Sequence, residues 1–153
     1  MPLPNLDENG FLPAGFHACT LREVHTAFCY TPHRRALFGN LLRYFRQWTV
    51  RHLHPTVYVD GGFCSRKVAP PKDIDVVIDI QTFDLRDPII VAAVHQLLNH
   101  DEIEIQYGIE VFAHHPALVP NDFRLFFQYL KAPQRAALGL DDGFRKGILQ
   151  VQI

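Results

Sequence analysis

The chain has 153 residues, of which 48% are hydrophobic and twelve are phenylalanine, and its formal net charge is -1. That length provides one small domain with a real core and leaves little room for a second, substrate-binding domain. No run of about 18 apolar residues occurs, which excludes a transmembrane helix of the usual kind. Cys19, Cys29 and Cys64 lack Cys-x-x-Cys spacing and no signal peptide precedes them, a pattern that argues against disulfides and structural zinc and for a cytoplasmic protein.

In chain order, residues 1–13 read as a proline-containing extended lead. Thr20-Leu-Arg-Glu23 is a capping box that opens a short helix. Thr31-Pro32 opens another, with threonine as N-cap and proline in the first turn. Leu37, Phe38, Leu41, Leu42, Phe45 and Trp48 then recur at helical spacing as one buried stripe, a core feature and not a cofactor box. These helices form an N-terminal extension over about residues 20–50 of a single domain spanning 1–153.

Charge is unevenly placed. Between Val24 and Val59 there is no acidic residue, while Arg34, Arg35, Arg43, Arg46 and Arg51 lie there; beyond it acids outnumber bases. Such a segment reads either as an ordinary solvated helix face or as a surface that steers a triphosphate, an RNA end or an acidic partner.

Val57-Tyr58-Val59 reads as a strand, and Gly61-Gly62 as a tight turn leading into a short helical segment ended by Pro70-Pro71. In the next strand, Asp73 to Ile80, period two puts Asp73, Asp75, Val77 and Asp79 on one face and Ile74, Val76, Ile78 and Ile80 on the other. Carboxylates two residues apart lie roughly 6.6 Å apart along a strand, so Asp73 and Asp75 can converge on a small hard cation. Glycine lets a backbone approach a phosphate closely. A triphosphate can therefore sit at Gly61, Gly62, Phe63, Cys64 and Ser65 while Asp73 and Asp75 hold its magnesium. An acidic strand can equally be half-exposed with a solvated face; the nearby glycine turn favours the site, and Asp79 reads as solvated or structural.

Further on, Asp87-Pro88 opens a helix through about His100, with Ile89, Ile90, Ala93, Val94, Leu97 and Leu98 as its apolar face. Residues 102–106 and 109–112 read as one strand bent at Gly108 or as two short paired ones, with Glu102, Glu104 and Glu110 on one face if continuous. A helix near Asp122 to Leu130, a loop through Gly143 and a final strand from about Lys146 complete the chain. His52-x-His54 and His114-His115 lack helical metal-site spacing and read as surface or packing residues. His114 or His115 neighbours the acidic site only if the strand runs on past Phe112. Cys64 beside the glycine turn has no local base to make it a nucleophile.

Gly61-Gly62, ten intervening residues and Asp73-x-Asp75 resemble the signature of the polymerase-beta-like nucleotidyltransferase superfamily. The segments Phe11 to His17, Thr20 to Val24, Phe126 to Gln128 and Lys146 to Leu149 are similar to an uncharacterised bacterial family of small nucleotidyltransferase-like proteins. The resemblance implies an α+β fold, a nucleotidyltransferase-like mixed sheet flanked by helices in a single small domain. It also implies a third carboxylate from a later strand: Glu110, with Glu102 and Glu104 as rivals. The implied activity is transfer of a nucleoside monophosphate from a nucleoside triphosphate to a hydroxyl of a protein or RNA acceptor. Asp73, Asp75 and Glu110 would be the catalytic metal ligands, holding up to two Mg²⁺ ions. Toxin–antitoxin or phage-defence modules are the implied setting, with a protein partner or a homodimer as the assembly and no membrane association. Two departures stand out: Gly62 where relatives have serine, and glutamate as the third acid where aspartate is usual. The alternative is a catalytically degenerate binding module of the same fold, an antitoxin or adaptor, or a nucleotide sensor without turnover.

Overall fold

The computed structural model describes residues 3–66 and 69–153. Its centre is a five-stranded mixed sheet in the order β1-β5-β2-β3-β4, comprising β1 (Gly15–Ala18), β2 (Thr56–Asp60), β3 (Ile74–Asp79), β4 (Ile109–His114) and β5 (Gly147–Gln152). β2 is antiparallel to both β3 and β5, whereas β3 runs parallel to β4 and β1 parallel to β5. This is an α+β domain with helices segregated over the sheet.

The helices begin where the side chains dictate. In α1 (Leu21–Phe28), Thr20 accepts from the Glu23 amide while Glu23 accepts from the Thr20 amide, completing the capping box. In α2 (Pro32–Thr49), Thr31 caps the Arg34 amide and proline occupies the first turn. Leu37, Phe38, Leu41, Phe45 and Trp48 are buried as expected. Leu42 is exposed instead, and Arg34 and Tyr44 join the buried face. Both helices pack into the main core, together with α3 (Pro88–Leu97) and α4 (His100–Tyr107), against Ile74, Val76, Ile78 and Ile80. The opposite sheet face carries Tyr58, Val77, Ile148 and Phe112 of β4, packed with Phe123 and Phe127.

Several expectations are corrected. Residues 102–106 are not a strand but the middle of α4. Asn99 accepts from the Glu102 amide, Asp101 and Glu102 complement the first turn, and Gly108 ends the helix in the left-handed region at φ 67°. Ile103 and Tyr107, four residues apart, are buried, whereas Ile105 is 87% exposed; the apparent alternation was half of a helical face. Glu102 therefore does not share a strand face with Glu110. The helix from Asp87-Pro88 ends at Leu97, and Ile89 stands 79% exposed outside its apolar face. The helix after Asp122 is only the four-residue α5 (Phe123–Phe126), and the expected loop contains α6 (Ala132–Leu138), which starts on a proline and ends at left-handed Gly139. Finally, β1 is a strand that no alternation announces; it exists because Gly15 to Ala18 pair along β5 at the sheet edge.

Candidate metal and phosphate site

The site is built at one end of the sheet face opposite the main core. β2 finishes on Asp60, and Gly61 turns the chain with φ 86° and ψ -169°, a region essentially confined to glycine. A Cβ at Gly61 would lie 2.7 Å from Asp75 Oδ2. One turn of 3-10 helix, Gly62–Cys64, follows. Gly61→Ala is therefore expected to destabilise the protein by at least about 1–3 kcal/mol through backbone strain alone and to displace the Asp75 carboxylate. Urea unfolding measures the first effect, and an unchanged midpoint would contradict it.

Beneath the turn lies Arg34, fully buried in the core. Its Nη1 donates to the carbonyls of Phe28 at 3.2 Å and Phe63 at 2.6 Å, and its Nη2 to those of Gly62 at 3.3 Å and Ser65 at 2.8 Å. The guanidinium sits over the rings of Tyr30 and Phe63, 4.5 and 5.6 Å from their centroids. A planar five-donor group can satisfy carbonyls converging from several directions, which a lysine ammonium cannot do in the same plane. Arg34 thereby fixes the turn from inside.

Across the sheet, register sets Asp60 opposite Asp75 and Asp75 opposite Glu110, so three carboxyls stand side by side on β2, β3 and β4. Asp73, one residue before β3, completes the cluster: one oxygen from each of Asp73, Asp75 and Glu110 lies within 4.8 Å of the other two. Burial, then the adjoining Glu110, Asp60 and Asp73 carboxyls, pushes the Asp75 pKa up to about 8. Burial followed by Glu110 raises Asp73 as well. Asp75 Oδ1 is enclosed without a hydrogen-bond partner among the described residues. On the far side, Lys146 Nζ donates to Asp60 Oδ1 at 3.0 Å, both side chains being nearly inaccessible.

The turn residues divide by what they present. Phe63 faces inward against Phe28 and Phe38. The Cys64 thiol is buried, donates to the Val59 carbonyl at 3.4 Å, and is pushed well up by burial. Ser65 is buried and donates its hydroxyl to the Gly62 carbonyl at 2.9 Å. Any anion at this turn would meet its backbone, not these side chains. Folded protein should accordingly leave Cys64 unmodified by a maleimide while urea-unfolded protein reacts, as read by peptide mass spectrometry; rapid native labelling would contradict the burial.

Glu104 lies on α4 near Glu110, and Glu102 is exposed. β4 does continue past Phe112, but His114 pairs with Asp79, four residues along the strands from the Asp75–Glu110 pair, and faces Asp122 at 3.6 Å. Asp79 accepts from the Gln81 backbone and side chain, a local turn role. Arg34, Asp60 and Lys146 were missed as members of the site.

Asp73, Asp75 and Glu110 form an all-oxygen donor set containing an enclosed oxygen without a hydrogen-bond partner among the described residues, and burial with mutual repulsion disfavours its full ionisation. A hard divalent cation fits it: magnesium takes oxygen ligands from one or two carboxylates and leaves other positions for phosphate and water. Such a cation would offset the burial and the carboxylate repulsion that together raise Asp75.

No curated protein and no solved structure matches the chain. A family model described as "Family of unknown function (DUF6932)" matches residues 4–152, nearly the whole chain. That match over nearly the whole length places the chain in the DUF6932 family.

Proposed function

We propose that this protein is a magnesium-dependent nucleotidyltransferase of the cytoplasm that moves a nucleoside monophosphate from a nucleoside triphosphate to a hydroxyl of a protein or RNA acceptor. The observation that carries this reading is the convergence of Asp73, Asp75 and Glu110 beside the Gly61 turn, since glycine is the residue that allows close approach of backbone and phosphate. Asp73, Asp75 and Glu110 would hold one or two magnesium ions, and the Gly61–Ser65 backbone would receive the phosphates. Magnesium when bound supplies a lowered hydroxyl pKa and compensation of charge on the leaving pyrophosphate. The chain's own work is positional: Arg34 fixes the turn, the paired strands fix the three carboxylates, and Gly61 leaves space for Asp75.

The test is nucleotide transfer or pyrophosphate release with each triphosphate and candidate acceptors, beside Asp73→Asn, Asp75→Asn and Glu110→Gln. Losses of at least about 100-fold in each folded variant are expected, the scale of removing a principal electrostatic stabiliser. Undiminished transfer by a folded Asp75→Asn protein would sink the assignment.

A second reading, a non-catalytic binding module in a toxin–antitoxin or defence setting, draws on the Asp60–Lys146 pair, which places a fixed cation beside the carboxylates. A protein partner whose binding is indifferent to Asp73→Asn and to nucleotide would favour it.

A further inference from the structure

Next to the carboxylate cluster, α4 and β4 bring together a different set of ligating atoms. His100 begins α4, Glu104 follows one turn later on the same face, and Gly108 reverses the chain so that β4 returns Glu110 alongside them. One ligand atom from each of His100, Glu104 and Glu110 lies within 4.8 Å of the other two. We propose that these three residues bind a divalent transition-metal ion of the zinc class, at a position that adjoins the Asp73–Asp75 set and shares Glu110 with it. The site goes beyond the nucleotidyltransferase reading, because it requires neither nucleotide nor turnover.

Three observations support it. First, the imidazole makes only long ion pairs: His100 Nδ1 stands 3.9 Å from Glu104 Oε2 and 3.5 Å from Asp101 Oδ1, against about 2.7–2.9 Å for a charge-assisted hydrogen bond. Ligand atoms around a tetrahedral ion with bonds of 2.0–2.2 Å lie about 3.4 Å from one another, and the 3.9 Å between His100 Nδ1 and Glu104 Oε2 is nearer to that spacing than to direct contact. Small side-chain rotations close the remainder, since the His100 and Glu104 side chains are 41% and 39% exposed. Second, the ring is oriented: it packs edge-on against Phe112, centroid to centroid 5.6 Å, and Phe112 is itself held by Phe123 and Phe127. Third, the donor chemistry differs from that of the neighbouring set. One imidazole nitrogen with two carboxylates suits zinc or a similar ion, whereas Asp73, Asp75 and Glu110 offer oxygen only, as magnesium prefers. Two adjoining positions would then select different ions, with Glu110 between them.

Isothermal titration with zinc chloride, and separately with magnesium chloride, tests this on the full chain and on His100→Gln, Glu104→Gln and Asp75→Asn. Wild type should bind one zinc ion stoichiometrically. His100→Gln and Glu104→Gln should each weaken it by at least about 100-fold, since outer-shell changes by themselves cost 10–100-fold. Asp75→Asn should retain zinc affinity within the same order of magnitude while losing its magnesium response, so failure of this site and failure of the magnesium site are separately visible. The His100 and Glu104 side chains are partly exposed, and circular dichroism verifies the fold of each variant. Wild type that binds no zinc, zinc binding unchanged in His100→Gln, or zinc binding abolished by Asp75→Asn would each overturn the proposal.

Discussion

Replacing Asp75 with asparagine is expected to raise the melting temperature of the metal-free protein at pH 8 while removing any response to magnesium nucleotide. Asp75 is enclosed, one of its oxygens has no hydrogen-bond partner among the described residues, and three other carboxyls adjoin it. Its pKa of about 8 in the folded protein lies above the ordinary aspartate value. The native state therefore binds the extra proton between about pH 4 and pH 8, and Asp75's contribution to stability falls as pH rises through that window and levels off above it. At pH 8 the penalty is on the order of a few kcal/mol. Asparagine removes the charge, keeps the shape and offers an amide donor to its acidic neighbours. Thermal melts in a chelator from pH 5 to pH 9 should show a wild-type decline that is much reduced in Asp75→Asn. A lower melting temperature for the variant at pH 8 would contradict this account of the site. Stability gained with function lost is the expected signature of a site whose charges are arranged for a ligand.

The second large effect is expected at Arg34. Arg34→Met keeps much of the side-chain volume but deletes the donors to the Phe28, Gly62, Phe63 and Ser65 carbonyls. Each buried acceptor left without a partner costs about 1–3 kcal/mol, and the four are not additive. A loss of about 3–5 kcal/mol is expected, a large part of the 5–15 kcal/mol typical of a domain. Arg34→Lys should recover only part of it, because an ammonium is a point donor and not a planar fork. Urea unfolding of both variants measures this; a wild-type midpoint in Arg34→Met would show that the turn does not depend on the guanidinium.

The contrast between Arg34 and Asp75 shows how far the sequence could be read. Local signals were legible wherever one residue's chemistry decides the structure: Thr20 with Glu23, Thr31 with Pro32, and the alternation of β3 that separates its acidic from its oily face. Residues 102–106 misled because five residues of Glu-Ile-Glu-Ile-Gln satisfy strand alternation and a helical face equally. Asn99 and Gly108, which cap the segment, were the deciding evidence. Arg34 was grouped with solvated arginines although it precedes Leu37, Phe38 and Leu41 by three, four and seven residues and so falls on the apolar stripe. Lys146 likewise shares the period-two face of Ile148. What no local pattern could supply was partnership: that Lys146 meets Asp60 across 86 residues, or that Glu110 and not Glu102 stands beside Asp75, follows from sheet register alone.

The central claim is that Asp73, Asp75 and Glu110 hold a cation that carries a nucleotide, and the thermal shift of the purified protein with each nucleoside triphosphate, with and without magnesium, tests it most directly. At about 100 times its dissociation constant a ligand should stabilise the native state by roughly 2.7 kcal/mol. The account predicts a magnesium-dependent shift with at least one triphosphate that disappears in Asp73→Asn and Asp75→Asn. No shift with any triphosphate, or a shift that survives both substitutions, would contradict it.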